Sequence, residues 1–340
     1  MKSVRYSCVG RFFSYAILAL ALASCHRPAQ TVSFFGEAQG TYYSIKYVDP
    51  LGRDLQPQVD SLLHAFDLEA SLWEDSSLLR RLNANQTDSL SPILSDLLRK
   101  AQEMNAYTNG AFDCRVGRIV QAWGFSFRTR QEPDSLALDS LLRQARGGIR
   151  LEDRRLVKEY AGTELDFNAI AQGYSVDLIA QMFARLGLED YIIDVGGEVI
   201  AHGEKPDGSP WRVGIERPAA DSTSGREVQS IIALRNASVV TSGNYRKYYE
   251  RDGVRYSHTI DPRTGRPVRH TLLSASVVDS ASWLADAMAT AYMVMGLDSA
   301  LLFIADHPDG PGTGAVMFIY DDHGTVRTHT TPQFEAMQIK

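Results

Sequence analysis

Asp286 and Thr290 stand four residues apart in the apolar stretch Ala281 to Met295. That spacing puts a carboxylate and a hydroxyl on one helical face, where both can meet a common ligand. Hard cations such as Mg²⁺ take oxygen donors, commonly one carboxylate completed by water and by substrate phosphates. The same pair also suits a threonine bonded to its own helix carbonyl beside a solvated or paired aspartate. A second group is Thr241-Ser242-Gly243-Asn244-Tyr245, followed by Ser257 to Gly265 with His258 just ahead of an Asp-Pro turn. A strand entering a Gly-containing turn can offer N–H groups and hydroxyls to an anion. Taken by itself, a histidine there reads better as an idle surface residue, yet histidine is the side chain that titrates near neutrality and His258 is the best-placed candidate for a general base. The third is Asp166 to Tyr174, a junction from strand end to helix start whose free N–H groups suit a pyrophosphate. Gly196-Gly197 allows another close backbone approach.

These residues need elements to hold them. Residues 33–48 alternate around Phe34, Phe35, Tyr43, Ile45 and Tyr47 and predict an opening strand pair. Leu55, Val59, Leu62, Leu63 and Phe66 follow a helical period. A second helix starts at Ser91-Pro92 and stops at Asn109-Gly110. Residues 126–158 predict a charged surface excursion with a helix near 135–146. Ala169 to Leu186 is amphipathic and ended by Gly187, and a buried strand 191–195 follows. Residues 219–228 predict a polar loop, then strands near 229–235, 238–240 and 274–278. The helix Ala281–Met295, a short helix 298–305 and a terminal hairpin of 315–320 with 325–329 complete the chain. Strands and helices mix without a βαβ cadence, which predicts α+β architecture.

The 340 residues, 44% hydrophobic and 22% charged, suffice for a large globular core. A net charge of −6 gives no basic surplus for phosphate counterions, so a general nucleic-acid binder is excluded. There is no Gly-Lys-Ser/Thr loop, no Gly-x-Gly-x-x-Gly and no Gly-x-Ser-x-Gly, which excludes standard ATPase, Rossmann and α/β-hydrolase readings.

Lys2, Arg5 and Arg11 precede the apolar run Phe12–Ala23, the pattern of an export signal. It ends in Leu22-Ala23-Ser24-Cys25, resembling a bacterial lipobox. The expected organisation is a signal over 1–24, a lipidated tether over 25–32 and one domain over 33–340. Cutting before Cys25 removes three positive charges and leaves −9. Acylation at Cys25 would hold the protein on a membrane, exported and facing the periplasm. Cys114 is then the one other cysteine, so no intramolecular disulfide can form.

In order along the chain, Gly40-Thr41, Ser71-Leu72-Trp73 with Ser76 to Asn83, and Gly110 to Asp113 through Trp123-Gly124-Phe125 resemble the FAD:protein FMN transferase (ApbE) family. The likeness continues through Leu165-Asp166 to Gly173-Tyr174, Asp194 to Gly197, Trp211 to Pro218, Thr241 to Gly243, His258 to Gly265 and Ala285 to Thr290. The resemblance implies a T-fold-like α+β enzyme that moves FMN from FAD onto a Thr or Ser hydroxyl of an acceptor protein, with Mg²⁺, releasing AMP. It implies a flavin pocket of Gln39, Trp73, Ala111, Phe112, Asp113, Asp166, Gln172 and Ile260. It further implies a metal held by the Ala169 carbonyl, Asp286 and Thr290, and His258 in catalysis. Gln39 stands where the family usually has Met, and Gln172 where it often has Lys or Glu. Two alternatives keep the same residues: an FAD pyrophosphatase giving FMN and AMP, and a non-catalytic exported flavin-binding lipoprotein. Asp309 to Val316 loosely resembles the acceptor motif but ends in Val316, so no self-modification at Thr313 is expected.

Overall fold

The computed structural model describes residues 30–125, 133–218, 227–244, 248–251 and 254–339. The predicted signal, Cys25 and most of the tether lie outside the described residues, as does most of the polar loop 219–228.

The chain opens with strands β1 (Gln30–Ala38) and β2 (Thr41–Asp49), paired from Gln30↔Asp49 to Ala38↔Thr41. Gln39 and Gly40 join them at φ 55° and 69°. Two left-handed residues in a two-residue loop match the right-handed twist of the strands. Next come α1 (Gln56–Ala70), α2 (Leu78–Asn83) and α3 (Pro92–Tyr107). In α3 the predicted cap forms: Ser91 Oγ accepts from Leu94 N–H at 3.0 Å, with Pro92 behind it. A 3₁₀ turn at Cys114–Val116, α4 (Gly117–Ala122), α5 (Ser135–Arg146) and a hairpin of β3 (Ile149–Glu152) and β4 (Arg155–Lys158) follow. The expected excursion thus carries a hairpin as well as its helix. Four-residue strands carrying two charges each are too short to give a reliable period-2 signal.

After α6 (Ala171–Arg185) come β5 (Tyr191–Val195), β6 (Glu198–His202), β7 (Trp211–Glu216), β8 (Val228–Leu234) and β9 (Ala237–Gly243). Short pairs β10 (Tyr248–Arg251) with β11 (Val254–Ser257), and β12 (Ile260–Asp261) with β13 (Arg266–Pro267), lead to β14 (Leu272–Asp279). The chain closes with α7 (Ser282–Met295), α8 (Leu297–Asp306), β15 (Ala315–Asp322), β16 (Thr325–Thr330) and α9 (Pro332–Met337).

One eight-stranded sheet organises these elements in the order β1-β2-β5-β6-β9-β14-β15-β16. Every pairing in it is antiparallel. All the chain from 50 to 190 is therefore inserted between two adjacent strands, β2 and β5. The side-chain alternation divides the core. Val240, Val277, Val316 and Phe318 join the helices of the main cluster, while Val239, Val278, Met317 and Ile319 pack with Trp211, Ile215, Ile232 and Phe334 on the other face. Helices cover one face and the β7–β8 ribbon with α9 covers the other, so the architecture is α+β as expected.

Two local expectations change. Thr241 to Gly243 end strand β9, paired with Ser274 to Ser276, and do not form a turn. Asp166 follows no strand, and the helix after it begins at Ala171.

Candidate active site

Helix α7 is apolar nearly all round and buried on almost every side. Asp286 lies within it, 4% exposed. Its Oδ2 accepts from the Gly173 N–H at 3.0 Å. Burial drives the Asp286 pKa up, the Gly173 hydrogen bond opposes this, and the nearby Asp177 carboxylate adds to it. Burial beside a second acid makes the anionic form of Asp286 costly, and a bound cation would stabilise that form.

The first turn of α6 is shaped around this carboxylate. Tyr174 N–H bonds to the Ile170 carbonyl at 3.0 Å, whereas Gly173 N–H turns to Asp286 and not to the Ala169 carbonyl four residues back. Gly173 is where the two helices touch. A Cβ there would fall 2.4 Å from the Ser282 carbonyl and 2.9 Å from Asp286 Cβ. On the next turn of α7, Thr290 Oγ1 meets Ser242 Oγ at 3.1 Å, so the end of β9 does face the site with a hydroxyl. Among the described residues no trio of His, Cys, Asp or Glu gathers to hold a metal. A hard cation here would rest on one carboxylate, hydroxyls and a carbonyl, a donor set that fits Mg²⁺ supplemented by ligand phosphates.

The hairpin turn and the β5–β6 turn close around the same helix start. Ser175 Oγ lies 3.2 Å from Gln39 Oε1. Gly196 N–H bonds to the Tyr42 carbonyl at 2.9 Å, and a Cβ on Gly196 would meet Gln172 and Thr41. Gly40 and Gly197, both at positive φ, would point a Cβ into open space. Gln39, Gln172, Gly173 and Asp286 are thus one neighbourhood, with bare backbone at its rim.

Asp166 stands next to a second group of the residues expected in the pocket. Its backbone N–H bonds to the Cys114 carbonyl at 2.7 Å, bringing it beside Asp113. The Asp166 side chain is buried and accepts from Asn168 N–H at 2.8 Å, and burial raises its pKa. Asp113 is tied to Arg115 at 2.6 Å, so it carries its own counterion. Ala111 and Phe112 belong to the main core, with the Phe112 carbonyl held by Asn105 Nδ2 at 2.7 Å. Nearby, the predicted Asp-Pro turn forms: Gly265 N–H bonds to the Asp261 carbonyl at 2.7 Å, and Trp123 Nε1–H clasps the Gly265 carbonyl at the same distance. Ile260 packs with Trp123, Ile119, Leu138 and Leu142. His258 is half-buried at the bend between β11 and β12. Trp73 follows α1, 60% exposed, in a loop where Ser71 Oγ accepts its N–H at 3.0 Å.

Asp177 and Ser175 escaped the sequence reading. Both look like ordinary polar residues of an amphipathic helix: Asp177 finds its partners over a hundred residues away, and Ser175 divides its hydroxyl between Gln39 and the Gln172 carbonyl of its own helix at 2.8 Å. Thr313 is 2% exposed, with its hydroxyl 2.7 Å from the carbonyls of His307 and Gly310, and Val316 is fully buried. Neither is presented to an active site.

Residues 39–312 match the model of the ApbE family. The chain belongs to the ApbE family. The "FAD:protein FMN transferase" of Vibrio cholerae is 38% identical over 289 residues, covering 82% of this chain and 85% of that protein. The protein of the same name from Treponema pallidum is 32% identical over 78% of this chain and 76% of its own length. The solved "Flavin Transferase ApbE from Vibrio cholerae" superimposes with a TM-score of 0.78 at 32% identity, covering 91% of this chain and all of that one. The apo flavinyl transferase ApbE of Pseudomonas stutzeri gives 0.79 at 31% identity, over 91% of this chain and 97% of its own.

Proposed function

We propose that this ApbE-family enzyme is a Mg²⁺-dependent FAD:protein FMN transferase, carrying FMN from FAD to a Thr or Ser hydroxyl of an acceptor protein. In the reaction a phosphoester bond forms between the acceptor oxygen and the FMN phosphorus. The pyrophosphate bond of FAD breaks and AMP leaves. The observation that carries this reading is Asp286, a buried carboxylate held by the Gly173 N–H with the Asp177 carboxylate nearby, in a chain whose curated relatives bear that activity's name.

Asp286 and Thr290, with the Ala169 carbonyl, supply oxygen donors to Mg²⁺, and Gly173 N–H orients the Asp286 carboxylate. Bound there, the cation supplies charge stabilisation for the splitting pyrophosphate. His258 takes the proton from the acceptor hydroxyl as general base. Gln39, Trp73, Ala111, Phe112, Asp113, Asp166, Gln172 and Ile260 line the flavin pocket, with Trp73 offering a stacking face. We further propose that Cys25 is lipidated and anchors the exported enzyme on the periplasmic side of a membrane.

Incubating the purified protein with FAD, Mg²⁺ and a candidate acceptor tests the function. Covalent flavin fluorescence on the acceptor with release of AMP is expected. Free FMN plus AMP with no labelled acceptor would make the enzyme a pyrophosphatase, and unchanged FAD would make the protein a binder.

A further inference from the structure

Helix α7 begins at Ser282 after Ala281, which has no side chain able to cap it. The leading N–H groups of a helix need partners, and a buried start cannot borrow them from water. Asp177 of α6 supplies them from across the interface. Its Oδ1 accepts from Ser282 N–H and its Oδ2 from Trp283 N–H, each at 2.9 Å. The bond in the other direction joins the same helices: Gly173 N–H of α6 donates to Asp286 Oδ2 of α7 at 3.0 Å. Gly173 and Asp177 are one turn apart, and so are Ser282 and Asp286. Each helix therefore gives a backbone N–H to a carboxylate of the other, one turn along.

This exchange fixes the register of α7 against α6. With no Cβ on Gly173, the Ser282 carbonyl seats directly against it, so the two axes cannot part without breaking all three bonds. A slide of α7 along α6 would stretch both Asp177 bonds and carry Asp286 away from Gly173. Resting on the Mg²⁺ reading of Asp286, we infer that Asp177 is the positioning residue of the cation site. It touches no ligand itself. It holds the turn that sets where the Asp286 carboxylate points.

Other contacts keep α7 folded without it. Ser282 Oγ meets Ser238 Oγ of β9 at 2.7 Å, and Lys100 Nζ sits 4.3 Å above the Trp283 ring. Asp177→Ala is therefore expected to fold, and Asp177→Asn, which retains one acceptor oxygen, serves as the conservative variant. The measurement is Mn²⁺ binding to the FAD-saturated protein by EPR of the free ion, against an FAD-only blank. Loss of a partner that orients a metal ligand costs roughly 10- to 100-fold in affinity. Asp177→Ala should weaken Mn²⁺ binding at least about tenfold and Asp177→Asn about threefold. FAD affinity without metal should stay within about twofold of the parent, since the flavin pocket does not include Asp177. A lowered melting temperature with unchanged Mn²⁺ affinity in both variants would make Asp177 a structural cap only and overturn the inference. Should Asp177→Ala fail to fold, the asparagine variant decides by the same criterion. A parent protein that binds no Mn²⁺ overturns the cation site itself, and the inference with it, and this is read before any variant is compared.

Discussion

Asp286 holds its proton more tightly than an ordinary aspartate because burial penalises the anion. The unfolded chain releases that proton near the usual carboxylate range, while the folded chain keeps it to higher pH. As pH rises between those two values the folded state binds more protons than the unfolded state, so stability falls with pH. The metal-free protein should accordingly lose melting temperature as pH rises from about 4 to about 7, Mg²⁺ should restore it, and Asp286→Asn should flatten the slope. A slope identical in the parent and Asp286→Asn would assign it to another group. At His258 the expectation is kinetic. His258→Asn should lower transfer by roughly 10²- to 10⁴-fold while leaving FAD affinity in place. A parallel collapse of flavin binding would make the imidazole a ligand contact. At this scale Asp286, Thr290, Asp166 and the Gly-rich turns could be picked out as candidates by type and spacing, while the roles expected of them came from the family resemblance. Asp177 was not, because an aspartate on an amphipathic helix is ordinary until the helix that needs its oxygens is known.

At the level of elements, α6 and α7 meet at Gly173. Gly173→Ala pushes a methyl to within 2.4 Å of the Ser282 carbonyl, a backbone atom that cannot rotate away. Such overpacking costs about 1–3 kcal/mol and separates α6 from α7. A melting temperature several degrees lower, together with weaker Mg²⁺ activation, should be seen by scanning calorimetry and a metal titration; parental values for both would show that the contact tolerates a methyl. Elements with a strong local signal were read correctly from sequence: the opening hairpin, the Ser91-Pro92 helix, α7 and the terminal hairpin. The β12–β13 pair, with two residues per strand, carries no periodicity to read. Thr241 to Gly243 looked like a turn for its glycine, yet pairing with β14 keeps it extended. The choice was made by a strand that lies thirty residues further along the chain.

Over the whole molecule, the eight-stranded sheet and its helices bring Gln39, Gln172 and Asp286 of the candidate site into one neighbourhood. They do so by inserting one long helical segment between adjacent strands β2 and β5. Such a strand order has no local signature, since sequence patterns report faces and not neighbours. Strand β1 begins five residues after Cys25, and nine residues of strand at ~3.3 Å each separate that start from the Gln39 turn. Cells fed a clickable palmitate should label the protein, and Cys25→Ala should abolish the label without changing turnover of the detergent-solubilised enzyme. Label persisting in that variant would move the acylation elsewhere.

Transfer of FMN to a protein hydroxyl is the claim on which these roles depend, and peptide mass spectrometry of the acceptor measures it most directly. After incubation with FAD and Mg²⁺, the account predicts FMN on one Thr or Ser side chain of the acceptor and one AMP released per FMN attached. Asp286→Ala should give neither product, and the enzyme's own Thr313 should remain unmodified. AMP released with FMN free in solution, and no modified acceptor peptide, would contradict it.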